Sequence, residues 1–307
     1  MLNLKIVRAV VNMQEIKCES VISTSLIPVG DLVFEVDSCG AGNRLVLCLH
    51  GFPESSFSWR HQLPLLASMG YKAWAPNLRG YGCSSKPLKV SDYAVDKLLE
   101  DVEGLIAVSG CDEVTLVAHD WGGALAWVYA SRHVKSLKKL VVMNCPHPIA
   151  FKSDMNLRQY FMSWYMCFFQ LPYLPEWFLG RNKAMPIRRM FEKTSVNKDK
   201  FPPEVTEVYR RNATRPGALS AMINYYRALF RFPPRLNALG SEHANISVPT
   251  LLIWGEKDLA LSKHLAISTE KYVNGLQTEF ISGGSHWIQQ DCPTQVNQLL
   301  SKFLQDN

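Results

Sequence analysis

Val117-Ala118-His119-Asp120-Trp121-Gly122-Gly123 joins two unlike patterns. It closes an apolar, β-branched run, Val114-Thr115-Leu116-Val117-Ala118, and opens an alanine-rich helical one, Ala124-Leu125-Ala126-Trp127-Val128-Tyr129-Ala130. A strand that turns straight into a helix, with small residues around one central residue, has the pattern of a nucleophile elbow. The neighbours must be small because the central residue adopts a strained backbone and holds its side chain free at the end of a sheet. Here the central residue is Asp120. A carboxylate attacks a strained ring, or a carbon bearing a leaving group, and becomes an alkyl ester. The competing reading is an aspartate that merely caps a helix.

Outward from this stretch, strands and helices alternate. Residues 29–37 alternate around Leu32, Phe34 and Val36 and predict an opening antiparallel strand. Leu45–Leu49 is a continuous apolar run, as expected of a strand buried on both faces. A helical segment near Trp59–Met69, a strand at Lys72–Pro76, a helix over Ser91–Ser109 and a strand at Lys139–Asn144 follow. From Pro146 to Ala244 the buried β runs vanish, and aromatics, Met, Pro and basic helical segments take over. Alternation resumes with a strand at Thr250–Gly255, a helix near Lys263–Tyr272, a strand at Thr278–Ile281 and a last helix, Thr294–Leu304. The pattern predicts a mostly parallel α/β sheet with right-handed crossovers. The core falls in two pieces, 1–146 and 245–307, around an α-helical lid at 147–244. That lid is expected over the carboxyl ends of the strands, where such sheets bind ligands.

Composition narrows the class. Of the 307 residues 47% are hydrophobic and 20% charged, enough for a sizeable core. A net charge of +6 is not the dense basic signature of a nucleic-acid binder. Ten of the basic residues, set against four acids, crowd into 181–215. The eight cysteines include no C-x-x-C pair, and Cys48, Cys145 and Cys167 sit in apolar runs. They predict reduced core thiols of a cytoplasmic protein, with neither a disulfide framework nor a metal site. Near the N-terminus the Ile6–Val11 patch is broken by Asn12, Gln14, Glu15 and Lys17, which argues against a secretory signal. The apolar stretch Trp164–Leu179 is too short and too interrupted to span a bilayer.

A nucleophilic Asp120 needs helpers. The amide of Trp121, next in the chain, and that of Phe52, in His50-Gly51-Phe52-Pro53, are placed to form an oxyanion hole. A base must activate water to hydrolyse the ester, and His286, in Gly283-Gly284-Ser285-His286-Trp287, follows the last strand. Asp258, just past the penultimate strand, is the carboxylate expected to orient it, with Glu256 a weaker substitute. The alternative acid position, after the preceding strand, holds Asn144, an amide that cannot serve as the anion.

These motifs resemble the epoxide hydrolases of the α/β-hydrolase superfamily, over about residues 27–305. The resemblance implies an α/β-hydrolase fold and two lid tyrosines that protonate the epoxide oxygen. Asn224-Tyr225-Tyr226-Arg227 resembles the segment carrying one of them, at Tyr226; Trp164-Tyr165-Met166-Cys167 resembles the other, at Tyr165. Tyr225 and Tyr160 are the alternatives if the register slips. The implied reaction turns a small-molecule epoxide and water into a vicinal diol, with no metal or organic cofactor. Trp164, Phe168 and Phe169, with Phe178 and Leu179, predict an aromatic-lined tunnel for an apolar organic epoxide, in lipid or xenobiotic metabolism or detoxification.

Two other readings stand beside this one. A dehalogenase would use the same Asp120 but has no use for the tyrosines, and Phe52 stands where haloalkane dehalogenases often carry Asn. A catalytically silent ligand-binding protein would leave the filled catalytic positions without purpose. The basic stretch 181–215 carries a separate expectation, peripheral contact with an anionic membrane, against the alternative of a solvated helical face.

Overall fold

The computed structural model describes residues 21–132, 136–233 and 246–305. Eight strands, β1 Ser23–Val29, β2 Leu32–Cys39, β3 Arg44–Leu49, β4 Lys72–Pro76, β5 Glu113–His119, β6 Leu137–Met143, β7 Thr250–Gly255 and β8 Gln277–Ile281, form one sheet. Their spatial order is β1-β2-β4-β3-β5-β6-β7-β8. β2 runs antiparallel to both neighbours, and every pair from β4 to β8 is parallel. The single strand expected at 29–37 is therefore a hairpin, turned at Gly30-Asp31 with φ +56° at the glycine. The missed partner, β1, is mostly exposed, so it carries little hydrophobic signal.

The period of two along a strand divides β3 between two cores. Leu45, Leu47 and Leu49 face α2 (Val95–Ser109) and α3 (Trp121–Ala130), whereas Val46 and Cys48 face α1 (Leu63–Ser68) and α12 (Pro293–Gln305). Each such side chain, fully buried, contributes about 1.5–3 kcal/mol. The sheet thus lies between two helical layers. α10 (Lys263–Thr269) adds Leu265 to the first core, and α11 (Ile288–Asp291) adds Ile288 to the second.

Between β6 and β7 lie α4 (Pro148–Ser153), α5 (Leu157–Met162), α6 (Trp164–Phe168), α7 (Leu174–Thr194), α8 (Pro203–Ala213) and α9 (Ala218–Arg231). α7 breaks at Arg181–Ala184, where Asn182, Lys183 and Ala184 are left-handed. The expected insertion boundary near 244, the N-terminal reading at 1–20 and Cys18 all lie outside the described residues. Of the other cysteines five are buried, but Cys83 and Cys167 are exposed. Cys167 corrects the expectation of a core thiol, because it lies on the outward side of the short α6. Among the described residues no helix is long and apolar enough to cross a membrane.

The turn from β5 into α3 has little room. A Cβ on Gly122 would lie 2.2 Å from the Leu49 carbonyl oxygen, a backbone atom that cannot swing aside. Gly122→Ala is expected to lower stability by about 1–3 kcal/mol, the usual range for overpacking. Denaturant unfolding checks this, and an unchanged midpoint would contradict it.

Candidate active site

Four parallel strands of the sheet are each followed by a residue of the site. β3 leads to Phe52, β5 to Asp120, β7 to Asp258 and β8 to His286. Asp120 takes φ +49° and ψ −118°, a conformation sparsely populated by non-glycine residues that costs on the order of 1–3 kcal/mol. The strain is held by neighbours. The Gly122 amide donates to the His50 carbonyl at 3.1 Å, and the Ala124 amide to that of Asp120 at 2.9 Å.

The Phe52 amide donates to Asp120 Oδ1 at 2.8 Å. Trp121 opens α3, so its amide is among those a helix leaves without an intrahelical acceptor. The other oxygen, Oδ2, lies 3.6 Å from His286 Nε2. His286 Nδ1 lies 2.7 Å from Asp258 Oδ2. The loops carrying Asp258 and His286 meet at two glycines, since a Cβ on Gly255 would lie 2.3 Å from the Ser285 carbonyl oxygen. Side-chain exposure separates the two carboxylates: 15% for Asp120, within reach of a ligand, and 1% for Asp258.

Asp258 is fully satisfied. Its Oδ1 accepts from the amides of Ala260 and Leu261 at 2.7 and 2.9 Å. Its Oδ2 accepts from Asn144 Nδ2 at 2.7 Å as well as from the imidazole. Asn144 is fixed in turn, with φ +42° and its Oδ1 accepting from the Gly255 amide. The amide at the alternative acid position thus holds the acid.

Electrostatics follow from this packing. Burial by itself would raise the Asp120 carboxyl, but the neighbouring His286, then His119 and the Phe52 amide, outweigh it and hold the group below its ordinary range. Burial would lower the His286 imidazole. The Asp258 charge, then the nearby Asp120 carboxylate and the hydrogen bond to Asp258, outweigh it and hold the ring well above its ordinary value. An imidazolium therefore rests between two carboxylates.

Tyr165 and Tyr226 face this group from α6 and α9. Their ring centroids are 5.8 Å apart and the rings stand edge to face, 83° between planes. Burial, reinforced by the Asp120 charge, pushes both phenols above their ordinary range. Tyr226 also packs edge-on to Trp121, Phe52 and Phe169, at 5.2, 5.3 and 5.0 Å. Of the alternative tyrosines, Tyr225 donates its hydroxyl to the Arg79 carbonyl and Tyr160 is exposed to solvent. The three expected lining aromatics divide. Phe169 is buried against Phe52 and Tyr226, Phe168 is half-buried behind it, and Trp164 is mostly exposed, turned away from the carboxylates.

The match to known proteins agrees with this geometry. Residues 44–291 match the family model described as alpha/beta hydrolase fold. Epoxide hydrolase 3 of Xenopus tropicalis is 38% identical over 272 residues, 86% of this chain and 72% of that protein. Epoxide hydrolase 4 of Mus musculus is 38% identical over 86% of this chain and 74% of its own. The chain belongs to the epoxide hydrolases of the α/β-hydrolase superfamily. A crystal structure of Bacillus megaterium epoxide hydrolase in complex with an inhibitor superposes with a TM-score of 0.81 at 30% identity, covering 91% of this chain and 99% of that one.

This epoxide hydrolase has a second buried ion pair beside the first, which sequence reasoning missed. His119 Nδ1 lies 2.7 Å from Glu54 Oε2, and its Nε2 lies 2.8 Å from the His286 carbonyl. Both partners accept, so both ring nitrogens donate. Glu54 also accepts from Gln289 and Gln290 at Oε1 and from the Gly51 amide at Oε2. Burial would raise this carboxyl, but the charge and hydrogen bond of His119 hold it below its ordinary range. The backbone of His286 is thereby tied to β5. The available signal was two ionisable residues, Glu54 and His119, each within or beside a site motif. Among the described residues no group of three His, Cys, Asp or Glu is arranged to hold a metal ion.

Glu54→Gln leaves the buried His119 without its anion. It is expected to cost about 3–5 kcal/mol, the range for breaking a buried pair from one side. A fall in denaturant midpoint at unchanged slope measures it; a loss below ~1 kcal/mol would show that the pair is not holding the loop.

Proposed function

We propose that this epoxide hydrolase converts an apolar organic epoxide and water into a vicinal diol through an ester on Asp120. The observation that carries this reading is one imidazole between two carboxylates, facing a pair of protonated phenols. Oδ1 of Asp120 is already held by the Phe52 amide, which leaves Oδ2 to attack. Oδ2 forms a bond to one ring carbon from the rear, and the carbon–oxygen bond of the epoxide breaks. Tyr165 and Tyr226 hydrogen-bond to the departing oxygen, and one of them gives it a proton. Phenols held above their ordinary range keep that proton at neutral pH.

Ester formation then changes the electrostatics. Asp120 loses its negative charge, and with it one of the causes that hold His286 protonated. The ring gives up its proton, and the tyrosine is reprotonated from solvent. His286, oriented by Asp258, next takes a proton from water, and the hydroxide attacks the carbonyl carbon of the ester. The amides of Phe52 and Trp121 take up the charge that develops on Oδ1. Collapse releases the diol, and Asp120 keeps one oxygen from water. The walls of the site, Phe52, Phe169, Trp121 and Tyr226, are aromatic, which favours an apolar substrate. Buried, protonated phenols serve an alkoxide better than a halide, so the dehalogenase reading gains no support from them.

A single turnover in heavy-oxygen water tests the ester route. Label is expected in the Asp120 carboxylate, Asp120→Ala should abolish diol formation in a folded protein, and His286→Gln should accumulate the ester as an intact-mass increase. Label found in diol alone, or full turnover by the alanine variant, would reject the proposal; halide release from haloalkanes without epoxide turnover would favour a dehalogenase.

The two steps should differ in pH dependence. Ring opening needs ionised Asp120, whose carboxyl is held low, so its rate is expected to stay level as pH falls to about 4, the ordinary carboxylate range. Ester hydrolysis needs neutral His286, so its rate should fall as pH drops and protonates the ring. Rapid-mixing kinetics separate the two steps; a hydrolysis rate level through the acidic range would remove His286 as base.

A further inference from the structure

The outward side of α5, α6 and the first turns of α7 is a surface of a different kind from the rest. Leu157, Phe161, Trp164, Tyr173 and Trp177 are each 61–85% exposed. Single exposed apolar residues are ordinary, but so many large ones on successive short helices form a patch of the sort that marks an interaction site. The patch is continuous with the interior. Trp164 packs on Phe168 at 5.9 Å, Phe168 on Phe178 at 5.8 Å and on Phe169 at 6.0 Å, and Phe169 on Tyr226 at 5.0 Å. A ladder of rings thus runs from solvent to the site.

Its charge is one-sided. Between residues 155 and 183 the sequence has one acid, Glu176. That carboxylate is bound by the guanidinium of Arg227, 2.5 Å away and largely buried. The cations remain outside: Arg158, Arg181 and Lys183 are exposed, and Arg181 lies over the rings of Trp177 and Phe178 at 5.1 and 4.5 Å. Farther along the basic run at 181–215, several cations are paired within it. Arg188 meets Glu192, and Arg210 and Arg211 share Glu207.

We infer that the face built by α5, α6 and the start of α7 docks on an anionic phospholipid surface and takes apolar epoxides inward along the ring ladder. Tryptophan and tyrosine favour the water–hydrocarbon boundary, where ring and polar edge are both accommodated. Arginine and lysine beside them meet lipid phosphates and anionic headgroups. The lipid-docking half depends on the patch alone; the delivery half rests on the function proposed above. Docking also places the expected membrane contact on residues 157–183 instead of across the whole of 181–215.

Vesicle sedimentation of the full-length protein tests this. The probes are phosphatidylcholine vesicles and vesicles of an equal mixture of phosphatidylcholine and phosphatidylserine. Binding is expected to the mixture, to weaken with added salt, and to be much poorer on phosphatidylcholine alone. Phe161→Ser with Trp177→Ser, and separately Arg158→Gln with Arg181→Gln, should each weaken it roughly tenfold or more. Turnover of a small, water-soluble epoxide should be unchanged in both variants, which also reports that they fold. Turnover of an epoxide dissolved in the vesicles should fall. No vesicle binding, binding that survives both double variants, or binding indifferent to lipid charge and salt would overturn docking. So would light scattering that shows a dimer abolished by the aromatic double variant, since a second copy would then cover the face. If no epoxide is turned over by the unaltered protein, the catalytic reading fails while vesicle binding still decides the docking.

Discussion

One imidazole lies between two buried carboxylates, and the architecture is arranged to keep it there. Two anions this close would repel strongly in a medium that screens poorly, and a proton on His286 between them relieves that repulsion. The cost of burying three charges is offset by directed hydrogen bonds. Asp258 alone receives four, from Asn144, Ala260, Leu261 and His286. The arrangement is self-limiting, because removal of the charge on Asp120 weakens the hold on the proton. On the proposed chemistry, a group that stabilises the resting site thereby becomes a base when a base is needed.

Geometry of this accuracy comes from the sheet. Parallel strands deliver their carboxyl ends to one edge, and close approaches at Gly122 and Gly255 pull the following loops together. The left-handed backbone at Asp120 is tolerated because hydrogen bonds on both sides fix it. Glu54 and His119 add a second buried pair that ties the main chain of His286 to the strand bearing Asp120.

Much of this was legible in the sequence for physical reasons. Continuous apolar runs at 45–49, 114–118 and 250–255 marked strands buried on both faces, and these are β3, β5 and β7. Asp120 and Asp258 stood out because each follows such a strand, and His286 because it follows the last strand; the fold brings the three together. β1 was not legible, since an exposed edge strand leaves no alternation to read. Neither was the Glu54–His119 pair, whose members lie 65 residues apart and meet only through the fold. Trp164 and Cys167 misled for the opposite reason: an apolar stretch of sequence reads as interior, whereas α6 turns both outward. Within the basic run 181–215, the spacings of three and four on one helix let Arg210 and Arg211 share Glu207, a pairing that a count of charges does not show.

Asp120, His286 and the amide of Phe52 belong to the sheet and its loops, while both phenols are carried by helices inserted between β6 and β7. On the proposed chemistry the two half-reactions therefore have different mechanical requirements. A shift of α6 and α9 by an ångström or two deprives the opening ring of its proton donors, yet leaves every group that cleaves the ester in position. On that chemistry the position of those helices bears on ring opening and not on ester cleavage, so a substrate that props them apart would stall before bond formation and not as a trapped adduct.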